Sequence, residues 1–399
     1  MRTDVHTLRL GGPASTPLPS VGCGLWLDRI NGLGRLARQL DAVMPRHLDA
    51  LLDLRSSRAL ENLPGLMDSA AERDIPVWLY VICDDHDPTG SLSTLARRLE
   101  GLPGTPAGML VTPAAYLKSY QPDGVWPSGT SPGQARMAAR VLWPELALGG
   151  GVPTYFTELN RCRPDPSSID FITHAVSPIV HAADDRSVME TLQSVPDIVA
   201  SCRALAPTTP YRITTTAIGA WTNPYGECLT PNDGSQRVTL SDDDPRQHGL
   251  FAAAWGVGFM ARVAYAGVDA ATLSSLGPPF DIGAESLHPV GHAIAGLCRA
   301  AGRPLRQLKL DGAELAALAW QTELPTVIEV WIANLSAGAV PLYIEGVDLL
   351  ELSRLAAMAD GFQPAPSVEA RLRAGETDRL EGFEILRLRV QNPGSGPDC

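Results

Sequence analysis

The chain has 399 residues, 45% hydrophobic and 19% charged, with 32 Lys and Arg against 44 Asp and Glu for a net charge of -12. That is enough apolar material for a large core. An acidic chain without a Lys/Arg run presents no phosphate-binding surface, so no nucleic-acid partner is expected. Seven cysteines, at positions 23, 83, 162, 202, 228, 298 and 399, follow neither a disulfide framework nor a zinc spacing, which fits reduced thiols in a cytoplasm. The opening MRTDVHTLRLGG lacks the apolar core of a secretory signal. The most apolar stretch, GLFAAAWGVGFMARVAYAG, is broken by Arg262 and too short to span a bilayer. No membrane partner is expected either.

In chain order, short apolar or β-branched runs alternate with longer runs of helical spacing. VGCGLWLD (21–28) reads as a strand and GLGRLARQLDAVM as a helix. ALLDLR (50–55) precedes SRALENLPGLMDSAAER, PVWLYVICDD (76–85) precedes LSTLARRLEG, and GMLVTP (108–113) precedes SPGQARMAARVL. LALGGG (146–151) opens the fifth unit and IDFITHAVSPIVH (169–181) the sixth. YRITTTAIGA (211–220) leads through a long loop to a helix expected near Pro245, and VDAATLSS (268–275) precedes HPVGHAIAGLCRAAG. Eight strand–helix units in about 280 residues predict an α/β fold, a (β/α)8 TIM barrel over residues 1–302. No GxGxxG follows the first strand, which argues against a dinucleotide-binding sheet. From residue 303 the pattern becomes period two. TVIEVWIANLSAGAVPLYIEG reads as a hairpin, and EARLRAG and FEILRLRVQ as further strands. A small antiparallel, sandwich-like β domain (303–391) and a tail (392–399) are expected.

Barrel active sites lie at the C-terminal strand ends, which nominates Asp28, Arg55, Asp84, Asp85, His86, Glu158, Asn160, His174, His181, Asp184, Asp185 and Asn223. Asp28 and Asp184 serve equally well as helix N-caps. DDHDP (84–88) has the residues for a hard metal but reads better as a polar loop. GTSPG (129–133) matches the serine-esterase pattern, yet Pro132 has no N–H for an oxyanion hole, so Ser131 is expected to cap a helix. Glu158, in GGGVPTYFTELNR (149–161), stands out. Tyr155 and Phe156 supply walls that desolvate a carboxyl and raise its pKa, as a general acid or base requires. In an extended segment Asn160 points the same way as Glu158; the alternative is a salt bridge to Arg161 or Arg163. His174 and His181 lie seven apart, on opposite faces of a strand. In HAADDR (181–186), His181 with Asp184 or Asp185 can form an oriented acid–base pair.

The strings GGGVPTYFTELNR, HAVSPIVHAADDRSVMETL and PYRITTTAIGAWTNPYG resemble the barrel of bacterial D-apionate lactonases, enzymes of apiose catabolism. The likeness runs from about residue 20 to 300, and the β domain after it fits the same arrangement. The resemblance leads one to expect longer chains with a further N-terminal β-rich domain, one that is expected to be missing here. The resemblance implies hydrolysis of a sugar lactone, D-apionolactone, to its hydroxy acid. On that reading Glu158, or His181 backed by Asp184 or Asp185, activates water, while Arg55, Asn160 or His174 polarises the carbonyl or holds hydroxyls. Asp84, Tyr155, Asp185, Trp221 and Asn223 complete the expected substrate contacts. No cofactor is called for, although the Asp/His-rich strand ends leave room for a metal. Two alternatives differ in class. A retaining glycosidase needs two carboxyls about 5 Å apart, and YRITTTAIGA carries none at its end. A non-catalytic sugar binder would stack its ligand on Trp26, Tyr155 and Trp221.

Overall fold

The computed structural model describes residues 5–30, 32–283, 285–356 and 360–392. Its first nine strands are β1 (His6–Pro17), β2 (Ser20–Trp26), β3 (Leu48–Asp53), β4 (Val77–Cys83), β5 (Gly108–Pro113), β6 (Gly149–Tyr155), β7 (Phe171–Val176), β8 (Tyr211–Thr216) and β9 (Ala270–Ser275). Strands β2 to β9 form one parallel sheet in the order β5-β4-β3-β2-β9-β8-β7-β6. A parallel bridge between Met109 and Leu148 joins its two ends, closing the barrel. Each of the eight expected runs overlaps one stave. The staves are buried on both faces, which is why they read as near-continuous apolar runs.

Helices between staves bury one stripe each. Leu33–Val43 turns Leu36, Leu40 and Val43 inward, as its three-to-four spacing dictates. Ser131 caps the helix Pro132–Leu142 in a capping box with Gln134, so the esterase-like string is a helix start. The helix expected near Pro245 begins later, at Leu250. Asp244 accepts from the Arg246 N–H and holds the intervening residues in a turn.

The glycine run of β6 has a steric reason. A Cβ on Gly149 would lie 2.5 Å from the Phe171 ring, and Gly151 has φ +107° with the Thr173 carbonyl 2.1 Å from where its Cβ would stand. Only glycine tolerates either position. The register slips between Gly151 and Tyr155, a bulge that re-aims the strand exit.

Low in the barrel a polar network fills the interior. Asp49 pairs with Arg212 at 3.2 Å and accepts from the Thr272 hydroxyl at 2.6 Å. That hydroxyl has one proton, so His47 Nε2, 2.9 Å away, donates to it. His47 Nδ1 then accepts from Ser20 at 3.0 Å. The imidazole is therefore neutral, in keeping with a pKa lowered to about 3 by burial and then by Arg212. The Arg212 guanidinium also lies 3.7 Å over the Trp78 ring.

The remaining strands are β10 (Pro304–Leu310), β11 (Leu315–Gln321), β12 (Val327–Asn334), β13 (Val340–Glu345), β14 (Leu349–Leu355), β15 (Gln363–Pro364), β16 (Asp378–Leu380) and β17 (Ile385–Gln391). With β1 they make a second, mostly antiparallel sheet, ordered β15-β14-β17-β12-β11-β10-β1-β13-β16. Three expectations change here. Residues 6–17 do not belong to the barrel as the 1–302 boundary implied, because β1 pairs with β10 and β13. The expected hairpin is not one: β12 pairs with β11 and β17, whereas β13 pairs with β1 and β16. Asn334 at the crossing donates to the Gly338, Leu380 and Glu381 carbonyls, which fixes the chain as it leaves one neighbourhood for the other. EARLRAG (369–375), expected as a strand, falls largely in a helix, Pro366–Arg373, that buries Val368 and Leu372. The tail beyond residue 392 lies outside the described residues. One apolar cluster runs from the barrel helices into Trp320, Trp331, Leu335 and Ile385, so the two sheets share a core.

Candidate active site

Three segments leave the C-terminal end of the barrel and tie to one another. At the end of β6, the Pro153 carbonyl accepts from Trp221 Nε1 at 3.0 Å, and the Tyr155 hydroxyl donates to the Thr222 carbonyl at 3.0 Å. After β5, the Ser119 N–H donates to the Pro224 carbonyl at 2.9 Å and Lys118 Nζ to the Asn223 carbonyl at 3.0 Å. Arg161 Nη1 donates to Ser119 Oγ at 2.5 Å, closing the ring of contacts. Glu158 sits among them.

Glu158 lies in a one-and-a-half-turn helix, Phe156–Arg161, that starts directly at the end of β6. It is 3% exposed, and neither carboxylate oxygen makes a hydrogen bond of normal geometry among the described residues, although Ser119, Tyr225 and the N–H groups of the helix start lie close to it. Burial pushes its pKa above the ordinary carboxyl value; Ser119, backbone N–H groups of the helix start and Arg161 act the other way. Beside it stands Tyr225, whose phenol is raised first by burial and then by the Glu158 charge. The Tyr225 ring in turn lies 5.9 Å from that of His181. Next to this segment Thr157, Val176, His181, Val195, Tyr225 and Trp255 line a cavity of about 440 Å³ between the β7 exit and the helices that follow it, with Glu158 just behind its wall at Tyr155–Thr157, a volume within the usual range for small-molecule sites.

The other expected site residues divide clearly. Asn160 does not share a direction with Glu158. The segment is helical, two residues are about 200° apart there, and the exposed Asn160 accepts from Arg163. His174 is fully buried between Ala175 and Tyr211, its Nε2 2.5 Å from the Tyr211 hydroxyl, and burial lowers its pKa to about 4. It is a packing histidine on the outer face of β7. The expected His181–Asp184/Asp185 pair is not formed. Asp184 caps the helix Asp185–Glu190 through the Ser187 N–H, and Asp185 is held by Arg246 at 2.8 Å and Arg237 at 3.0 Å. Asn223 folds back on the Tyr225 and Gly226 N–H groups, a turn that positions Tyr225.

Arg55 is gripped by Asp53 through two bonds, and Asp84 accepts from the His86 and Asp87 N–H groups. Asp85 accepts from the Ala115 N–H, and Asp87 caps the next helix. DDHDP is thus a structural loop, and no group of three His, Cys, Asp or Glu able to hold a metal occurs among the described residues. Asp28 falls in the short turn Leu27–Arg29 and makes no cap. Trp221 packs against Trp26 at 6.3 Å, and Phe280 meets Trp26 edge-on at 5.4 Å, making an aromatic wall at the mouth. Sequence reasoning missed Ser119 and Tyr225. They lie 39 residues before and 67 after Glu158, so no spacing ties them to it.

Residues 21–302 match the D-apionate lactonase TIM barrel domain. The chain belongs to that family. It is 35% identical over 253 residues to the D-apionate lactonase of Brucella anthropi, an alignment covering 61% of this chain and 41% of that protein. The chain thus spans less than half the length of the curated relative it matches. In fold it is similar to a family 51 α-L-arabinofuranosidase from Bifidobacterium longum, with 11% identity, a TM-score of 0.66, and 96% and 99% of the two chains covered. A glycoside hydrolase family 30 xylanase from Clostridium acetobutylicum aligns at 7% identity and a TM-score of 0.58 over 97% and 100% of the chains. These likenesses show a shared barrel-plus-β-domain architecture.

Proposed function

We propose that this member of the lactonase family opens a sugar lactone, D-apionolactone or a related aldonolactone, to its hydroxy acid in bacterial carbohydrate catabolism in the cytoplasm. The supporting observation is the Glu158 carboxyl: buried, raised in pKa and next to Tyr155–Thr157, which line a cavity. As a carboxylate it takes a proton from water while the water oxygen attacks the lactone carbonyl carbon. The tetrahedral adduct then collapses, the ring C–O bond breaks, and the proton passes from Glu158 to the departing ring oxygen. The base is regenerated and one water is consumed. Tyr225, whose phenol is raised and so stays protonated at neutral pH, is placed to orient that carboxyl. His181, its ring 5.9 Å from that of Tyr225, lies on the wall of the neighbouring cavity, and the carboxylic acid released gives up its proton to solvent.

The glycosidase reading fares worse. It requires a second carboxyl about 5 Å from the first. β8, Tyr211–Thr216, ends without one. The deciding assay incubates the protein with a panel of aldonolactones and aryl glycosides, with and without chelator. Acid release from lactones alone, unaffected by chelator, supports the proposal and the expectation of no metal. Aryl glycoside cleavage without lactone opening overturns it.

A further inference from the structure

Buried side-chain polar atoms in folded proteins almost always find a partner, so those that do not call for a reason. Setting aside arginine Nε atoms, the described residues carry such orphans on Trp26, Thr112, Thr154, Glu158, His292 and Asp378. His292 faces Asp360 at 3.4 Å and the second Asp378 oxygen is held by Arg371, so these two have partial partners. The other four all lie at the C-terminal end of the barrel strands. Trp26 is the last residue of β2, Thr112 and Thr154 are the penultimate residues of β5 and β6, and Glu158 follows β6 directly. None is more than 3% exposed.

Two of them demonstrably face the barrel axis. Trp26 is in register with Leu51. Leu51 packs both against the Trp26–Phe280 group above it and against the interior group of Tyr80, Leu110 and Phe171 below. Thr112 lies two residues beyond Leu110, on the same face and one layer nearer the mouth. An indole N–H only donates, whereas a threonine hydroxyl donates and accepts. Trp221 joins the two halves of the rim, touching Trp26 and bonding to Pro153 next to Thr154.

We propose that the Trp26 N–H and the Thr112 hydroxyl are substrate-reading groups, unpaired in the protein because ring hydroxyls or the carbonyl oxygen of a polyhydroxylated lactone complete them. The Trp26–Trp221–Phe280 wall covers the apolar C–H face of the same ring. This inference rests on the lactonase reading and sharpens it, since it requires a hydroxylated substrate rather than a plain aliphatic lactone. A site that hydrogen-bonds a substrate hydroxyl rejects the analogue lacking it, because its own buried group is then left unpaired.

The test measures kcat/KM for Thr112→Val and Trp26→Phe on the preferred aldonolactone and on deoxy analogues each missing one hydroxyl. We expect roughly a tenfold fall for each variant. The deoxy penalty seen in wild type should vanish in the variant whose partner has been removed. Thr112→Val, which deletes an unpaired hydroxyl at constant shape, should melt at or above the wild-type temperature without ligand; a purely structural role would lower it. If Trp26→Phe folds poorly, Thr112→Val carries the test alone. Lactone turnover by wild type with both variants within twofold and the deoxy penalty intact overturns this inference only. No turnover of any lactone by wild type overturns it together with the reading beneath it.

Discussion

The floor and the mouth of the barrel use polar residues in opposite ways. At the floor Asp49, Arg212, His47, Thr272 and Ser20 satisfy one another. One donor there, Arg212 Nε, is left over, and its guanidinium stacks on Trp78. At the mouth Trp26, Thr112, Thr154 and Glu158 are just as buried and make no hydrogen bond of normal geometry. Closed networks rigidify a barrel, whereas open ones wait for a ligand. On the proposed reading, the same residue chemistry serves stability at the floor and substrate at the mouth.

Substitutions should separate the two regions. The largest effect is expected at the floor. Asp49→Asn leaves the Arg212 charge buried without its counterion, which should cost about 3–5 kcal/mol. Urea unfolding should show a lower midpoint, while the activity of the protein that remains folded stays near wild type. At the mouth the reverse holds. Glu158→Gln should reduce lactone kcat/KM at least about 100-fold, roughly 2.7 kcal/mol of transition-state stabilisation. Removing a buried charge that burial disfavours should at the same time leave the melting temperature unchanged or higher. Wild-type turnover in that variant removes Glu158 from the mechanism.

A pH titration probes the packing histidines. His47 is held at about 3 and His174 at about 4, both chiefly by burial, against an ordinary 6.5. The unfolded chain takes up both protons before the folded one does. Their contribution is therefore full above pH 6.5 and is lost as pH falls toward those folded values. Between pH 6.5 and 5.5 the loss should be about 2 kcal/mol, offset in part by Glu158, whose raised pKa works in the opposite sense. Denaturant midpoints that stay flat over that interval would contradict the assignment of both rings as neutral.

The smallest effect belongs to Asp184. As an N-cap rather than a catalytic partner, Asp184→Ala should cost about 1 kcal/mol of stability and leave kcat unchanged. A hundredfold fall in kcat there would restore the His181–Asp184 pair that the geometry does not show.

Legibility in the sequence followed the range of the forces involved. Alternating apolar runs and helix-forming spacings act over ten to fifteen residues, so eight staves, their helices and the Ser131 cap could be read directly. Glu158 could be read too, because its desolvating neighbours Tyr155 and Phe156 adjoin it in the chain. Its helical setting could not, since a six-residue helix has too few turns to show a period, and the wrong conformation sent Asn160 to the wrong side. His174 looked like a site residue because strand position alone does not tell the inner face from the outer.

By itself, then, the order of residues determined a parallel barrel followed by a β-rich segment, a glutamate just past the fifth stave and a seventh stave that ends without a carboxylate. Tertiary structure alone decided that β1 crosses to the far sheet, that β12 and β13 part company, and that Ser119 and Tyr225 converge on Glu158. It also decided which buried polar atoms are answered and which are left open. The physical reason is that periodicity and capping are properties of neighbours in the chain. Hydrogen-bond satisfaction and desolvation depend on groups that only the closed barrel brings together.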